Sequence, residues 1–151
     1  MVCTAAVLFS GTAVKAQDPI IGTWITIGDQ GADKGKETSH IEIFEKDGLY
    51  FGKIVKLLLP PEPDNPNELC LKCPGDLKNK PILGMVIIKN MKKTEETDKK
   101  MGLLYAGGTI LDPESGSTYK SKIWVNGDVL TSRGYIGIPM IGRSVEWKRL
   151  K

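Results

Sequence analysis

Cys70 and Cys73 stand two residues apart, a spacing that suits a redox dithiol, half of a zinc site, or a small structural disulfide. A zinc site needs about four ligands of the cysteine or histidine type. This chain has one histidine, His40, and its third cysteine, Cys3, lies in a segment expected to be removed. No metal site is therefore expected, and no cofactor. A catalytic dithiol usually sets its first cysteine at a helix N-terminus, where the dipole lowers the thiol pKa. Here the pair lies in a proline-bordered stretch with no helical signal, and an oxidising compartment would favour a bridge that pins a loop. Asp76 and Lys78 follow directly. A carboxylate beside an ammonium is raw material for acid–base catalysis when burial tunes it, and a solvated ion pair otherwise.

The remaining polar constellations are weaker. A histidine-based triad would have to be built on His40, and nothing nearby completes one. The run Asp112-Pro113-Glu114-Ser115-Gly116 has the residue types of a turn rather than of a carboxylate pair. Gly107-Gly108 lies inside a strand-like run, where glycine marks a bulge or a close backbone approach. Arg133-Gly134-Tyr135-Ile136-Gly137-Ile138-Pro139 joins a permanent cation, an aromatic ring and an irregular backbone. It reads either as an anion or sugar contact at a cavity mouth through Arg133 and Tyr135, or as strand-end packing around a glycine bulge.

The elements that must position these residues are short. In a chain of 151 residues, one hydrophobic core is the default. Residues 1–16 stand apart: the apolar run Val2 to Phe9, then Val14-Lys15-Ala16, has the shape of a secretory signal peptide cut after Ala16, leaving 17–151 as one domain. The apolar run is too short to span a bilayer. The mature chain keeps 20 basic residues against 18 acidic, with the two signs interspersed along the sequence, so no nucleic-acid partner is expected. The run Lys89 to Lys100, with Glu95, Glu96 and Asp98, reads as a solvated loop.

Eight segments rich in β-branched and aromatic residues follow, over about 20–28, 38–46, 49–58, 83–90, 102–111, 117–125, 128–135 and 142–149. Asp47-Gly48, Asn126-Gly127 and Glu114-Ser115-Gly116 supply the residues that tight hairpins require. No long helical periodicity is present to cover a sheet, so the strands must bury their faces against one another. Even spacing favours an all-β, eight-stranded up-and-down antiparallel barrel. Leu59 to Pro81 is the one long excursion and carries six of the nine prolines, which marks it as a loop.

Gly22-Thr23-Trp24 at the first strand resembles the Gly-x-Trp entry of lipocalin-like barrels. In those folds the indole plugs one barrel end and an arginine from a late strand stacks on it, and Arg143 is the natural candidate for that partner. A wider resemblance rests on Leu49-Tyr50-Phe51-Gly52-Lys53-Ile54, Cys70-Leu71-Lys72-Cys73-Pro74-Gly75-Asp76, Pro81-Ile82-Leu83-Gly84-Met85, Gly107-Gly108-Thr109-Ile110-Leu111-Asp112-Pro113, Arg133-Gly134-Tyr135-Ile136-Gly137 and Gly142-Arg143. Together these resemble the secreted bacterial family catalogued as domain of unknown function 2147. The resemblance implies an exported, periplasmic or extracellular lipocalin-like barrel and brings no activity with it. Three functions stay open: a non-enzymatic binder of a small apolar ligand, a cell-envelope interaction protein with a filled barrel that recognises partners through the 59–81 loop, and a thiol–disulfide protein using Cys70 and Cys73.

Overall fold

A computed structural model describes residues 17–58 and 68–151. The expected signal segment and the first part of the proline-rich loop lie outside the described residues. Eight strands make up the fold: β1 (Gly22–Ile27), β2 (Glu37–Lys46), β3 (Leu49–Leu57), β4 (Val86–Asp98), β5 (Gly102–Asp112), β6 (Ser117–Asn126), β7 (Val129–Tyr135) and β8 (Gly142–Arg149). Each pairs antiparallel with the next, and β8 returns to β1 through Trp24↔Arg149 and Ile25↔Lys148, closing the barrel. The expected all-β, eight-stranded up-and-down barrel is thus the fold, and closure leaves no edge strand exposed.

Local chemistry explains the joints. At β2–β3, Asp47 and Gly48 both take positive φ (53° and 77°), as a two-residue primed turn demands. At β6–β7, Gly127 alone does so (58°), with Asn126 opposite Val129. At β4–β5, Asp98 Oδ1 accepts from the amides of Lys100 (2.7 Å) and Met101 (2.8 Å), which holds its carboxyl below the ordinary value. Asp112 does similar work in the β5–β6 turn, accepting from the Glu114 amide at 3.0 Å and the Ser115 hydroxyl at 2.8 Å. Gly107 (φ 83°) forms a bulge between Ala106 and Gly108. A Cβ on Gly108 would sit 2.2 Å from the Lys89 carbonyl oxygen, so the close approach of β4 requires glycine there.

One strand corrects the sequence reading. The charged run expected to be a solvated loop is the second half of β4, paired to β5 through Lys92↔Ala106, Lys93↔Tyr105 and Thr97↔Leu103. Residues 92–98 are five charged side chains and two threonines, so no apolar alternation announces the strand.

Alternation across the register divides the wall into faces. Trp24, Ile41, Ile54, Met91, Ile123 and Leu130 point inward and are almost wholly buried. In β3 the pattern is blurred because outward Phe51 stacks on Phe44 of β2, ring centres 5.9 Å apart, while Tyr50, Gly52 and Ile54 face in. A Cβ on Gly52 would lie 2.9 Å from Ile88 Cδ1 and 3.1 Å from Ile41 Cγ2, so this part of the interior is already full.

Candidate functional site

The two ends of the barrel differ. At one end meet the start of β1, the end of β8 and the short turns β2–β3, β4–β5 and β6–β7, and this end is sealed. Residues Asp18 to Ile21 cross it, with Ile20 fully buried. The Trp24 indole Nε1–H donates to the Ile20 carbonyl at 2.9 Å. Tyr50 donates its hydroxyl to Asp18, whose other oxygen accepts from Lys93 Nζ at 2.5 Å. Tyr105 stands edge-on to Tyr50, centroids 5.2 Å apart. Burial, with the Asp18 charge adding to it, pushes the Tyr105 hydroxyl up to about 12. The Tyr50 hydroxyl is pushed well above the ordinary tyrosine range by burial and by its bond to Asp18. The sequence reading missed Asp18, Tyr50, Lys93 and Tyr105. They lie on four segments far apart in the chain, and no local spacing joins them.

The arginine over Trp24 is Arg149, not Arg143. Its guanidinium carbon lies 4.2 Å from the ring centre. Its nitrogens donate to the carbonyls of Ile21 (3.1 Å) and Pro19 (2.6 Å), and it pairs with Asp128 at 3.3 Å. Register decides the matter: β1 and β8 run antiparallel, so the start of β1 meets the end of β8. Arg143 begins β8 at the opposite end, where its Nε pairs with Asp29 at 2.9 Å.

At that opposite end the inward residues are less sealed. Ile110, Tyr119, Val145 and Leu57 face inward by register but are only half-buried. On the β1–β2 side Thr26 Oγ1 shares hydrogen bonds with Thr38 (2.5 Å) and Ser39 (2.7 Å). Across the ring, a Cβ on Gly134 would rest 3.3 Å from Tyr119 and 3.6 Å from Ile110, so glycine leaves room at this mouth. Below it lies Ser121, fully buried, whose hydroxyl has no hydrogen-bond partner among the described residues. A buried unpaired hydroxyl carries a penalty of about 1–3 kcal/mol, which a bound polar atom would relieve. This end therefore brings together half-buried apolar and aromatic side chains, the Thr26, Thr38 and Ser39 hydroxyls, the unpaired Ser121 hydroxyl and the Arg143–Asp29 pair.

Arg133 and Tyr135 do not line this mouth. Lys122↔Arg133 and Lys120↔Tyr135 alternate with inward Ser121 and Ile123, so both side chains lie on the outer wall. Arg133 donates to the carbonyls of Pro139 (2.6 Å) and Met140 (3.3 Å) and to the Ser144 hydroxyl (2.8 Å), tying the β7–β8 loop down. A shallow groove of about 420 Å³ runs beside it, lined by Trp124, Lys122, Met101 and Met140 among others. Among the described residues, the second recess, about 390 Å³, is also outside the barrel, between the cysteine loop and β4.

Cys70 and Cys73 form a disulfide with Cα atoms 5.4 Å apart. Both residues are buried, and the Cys70 sulfur rests 3.3 Å from the Pro113 carbonyl oxygen. The loop backbone closes on itself through Cys70 N–H to Lys80 O (2.8 Å) and Ile82 N–H to Glu68 O (2.9 Å). Leu111 points outward yet is buried, in one apolar cluster with Cys70, Cys73, Leu77 and Ile82, so the loop packs against the wall. Asp76 lies in the short 3₁₀ turn Gly75–Leu77 and Lys78 just after it. Both are exposed, and neither pairs with the other.

No curated protein matches the chain. Protein HP1028 from the human pathogen Helicobacter pylori, described as belonging to the lipocalin family, is similar in structure: TM-score 0.68 at 21% identity, over 87% of this chain and 82% of that one. At that identity the likeness speaks for the fold. The family model "Uncharacterized protein conserved in bacteria (DUF2147)" matches residues 22–149, from the first residue of β1 to the last of β8. The chain belongs to the DUF2147 family, as a lipocalin-like barrel plugged at one end by Trp24 under Arg149.

Proposed function

We propose that this is an exported, non-enzymatic binding protein that takes a small, largely apolar ligand at the open end of the barrel. The observation that carries the reading is the unpaired, buried Ser121 hydroxyl beneath the half-buried Ile110, Tyr119 and Val145. The deep half of the interior is filled, as the space around Gly52 shows, so the ligand is short or enters by one end only. Lipocalin-like barrels hold small ligands in this way. The signal-like residues 1–16 and the buried disulfide support export.

A second reading, recognition through the 59–81 loop on a filled barrel, draws support from that same packed core and from the exposed Leu69 and Leu71. Titration of the mature protein with fatty acids of graded length and with an apolar fluorescent probe separates the two. Saturable binding that is lost in Gly134→Val or Val145→Phe, both of which fill the mouth, supports the first. Absence of saturable binding across the series contradicts it and leaves the loop as the recognition element.

A further inference from the structure

The lysines that are dispersed among acids along the sequence are gathered by the topology. On β5, β6 and β7 the outward positions hold Leu104, Ala106, Thr109 and Leu111, then Thr118, Lys120, Lys122, Trp124 and Asn126, then Val129, Thr131, Arg133 and Tyr135; of these Leu104 and Thr131 are buried and Leu111 lies under the cysteine loop. No carboxylate is among them. Lys122 lies directly opposite Arg133 in the register, and like charges so placed repel. The same row continues round the wall to Lys92 through Ala106, and the neighbouring row runs from Lys120 through Thr109 to Lys89. None of these five cations forms an ion pair with a described carboxylate. Acids flank the face toward the sealed end: Glu146 of β8 sits opposite Thr131, and Glu95, Glu96 and Asp98 follow Lys92 along β4.

Beside this basic face stands an apolar exposed segment. Ile136, Ile138, Met140 and Ile141 are 68%, 54%, 86% and 69% exposed. The segment is held in shape: Ile141 N–H donates to Ile138 O at 3.1 Å, and Arg133 grips the Pro139 and Met140 carbonyls. The groove between loop and wall brings Met140 and Pro139 together with Lys122, Trp124 and Arg133. Contiguous apolar surface rimmed by charge marks an interaction site, and an ordered tip presents it without an ordering cost.

A polyanion would use the cations and leave the aliphatic tip without a partner. An anionic bilayer uses both, with phosphates on the lysines, indole and phenol at headgroup depth, and aliphatic side chains at the acyl boundary. We infer that the outer face of β5–β7, with the Ile136–Ile141 loop, docks this protein on an anionic lipid surface. The docked orientation sets the open mouth of the barrel beside the membrane, since the β7–β8 loop belongs to that end.

Co-sedimentation of the mature protein with vesicles of phosphatidylcholine alone, and of phosphatidylcholine mixed with phosphatidylglycerol, tests this at low and physiological salt. Binding is expected to the anionic vesicles only and to weaken with salt. The K120Q/K122Q pair should reduce it roughly thirty-fold. I138S/M140S should reduce it while leaving the salt dependence in place. Both variants alter exposed or half-exposed side chains, and unchanged thermal melting would verify that they fold. Equal pelleting with both vesicle types, none with either, or binding indifferent to both variants would overturn the inference. So would tight binding to a soluble polyanion that ignores I138S/M140S. The apolar-ligand titration proposed above is read without vesicles, so either reading can fail alone.

Discussion

Arg149 and Arg143 sit six residues apart on one strand, about 20 Å at the rise of a β-strand, and so serve opposite ends of the barrel. Replacing Arg149 with alanine removes a cation from the Trp24 face and donors from three carbonyls, those of Pro19, Ile21 and Gly127. It should destabilise the fold by about 2 kcal/mol in denaturant titration. Arg143→Ala loses only an exposed pair with Asp29 and should cost under about 0.5 kcal/mol. Equal losses would contradict the assignment. The plug itself was legible in Gly22-Thr23-Trp24, and the right arginine was in reach of one further step: an antiparallel β1–β8 closure joins first residues to last. Tyr105 supplies the pH test. Its ordinary value is 10.0 and the native value about 12, so the folded state holds the proton more tightly. Its contribution is therefore intact below pH 10 and lost as pH rises through about 12. The urea midpoint of the wild type should fall over that window more steeply than that of Tyr105→Phe, and parallel curves would show that the hydroxyl is not linked to folding.

Among the elements, the cysteine loop is fastened independently of the strands. The four-residue ring closed by Cys70–Cys73 should add about 2 kcal/mol, mostly by restraining the unfolded loop. Cys70→Ala/Cys73→Ala is expected to lower stability by that amount and to open the segment after residue 68 to protease while the barrel's circular dichroism persists. Ready reduction of the native bridge by mild thiols, without unfolding, would instead favour a redox role, because both buried residues would then have to be reachable. The strands were readable wherever turn chemistry bounded them, as at Asp47-Gly48 and Asn126-Gly127. The second half of β4 was not, since residues 92–98 carry charge on nearly every position and only pairing with β5 reveals them as strand.

For the whole molecule, closure into a ring creates what no stretch of sequence displays. It sets Ser121 without a partner beneath Ile110 and Tyr119, and it turns Arg133 and Tyr135 outward when their motif suggests a cavity rim. Facing direction depends on register, and register is a property of strand pairs. The same closure assembles Lys120, Lys122 and Arg133 on one wall although acids are interspersed in the chain. No helix among the described residues is long and apolar enough to cross a membrane.

The proposed function requires an asymmetric barrel, sealed under Trp24 and open to ligand at the other end. Backbone and methyl chemical-shift mapping by NMR, during titration with a short-chain fatty acid, tests it most directly. Saturable shifts are predicted at Leu57, Ile110, Ser121, Tyr119 and Val145, with Trp24, Tyr50 and Tyr105 unmoved. Shifts centred on the Trp24 end, or none at saturating ligand, would contradict it.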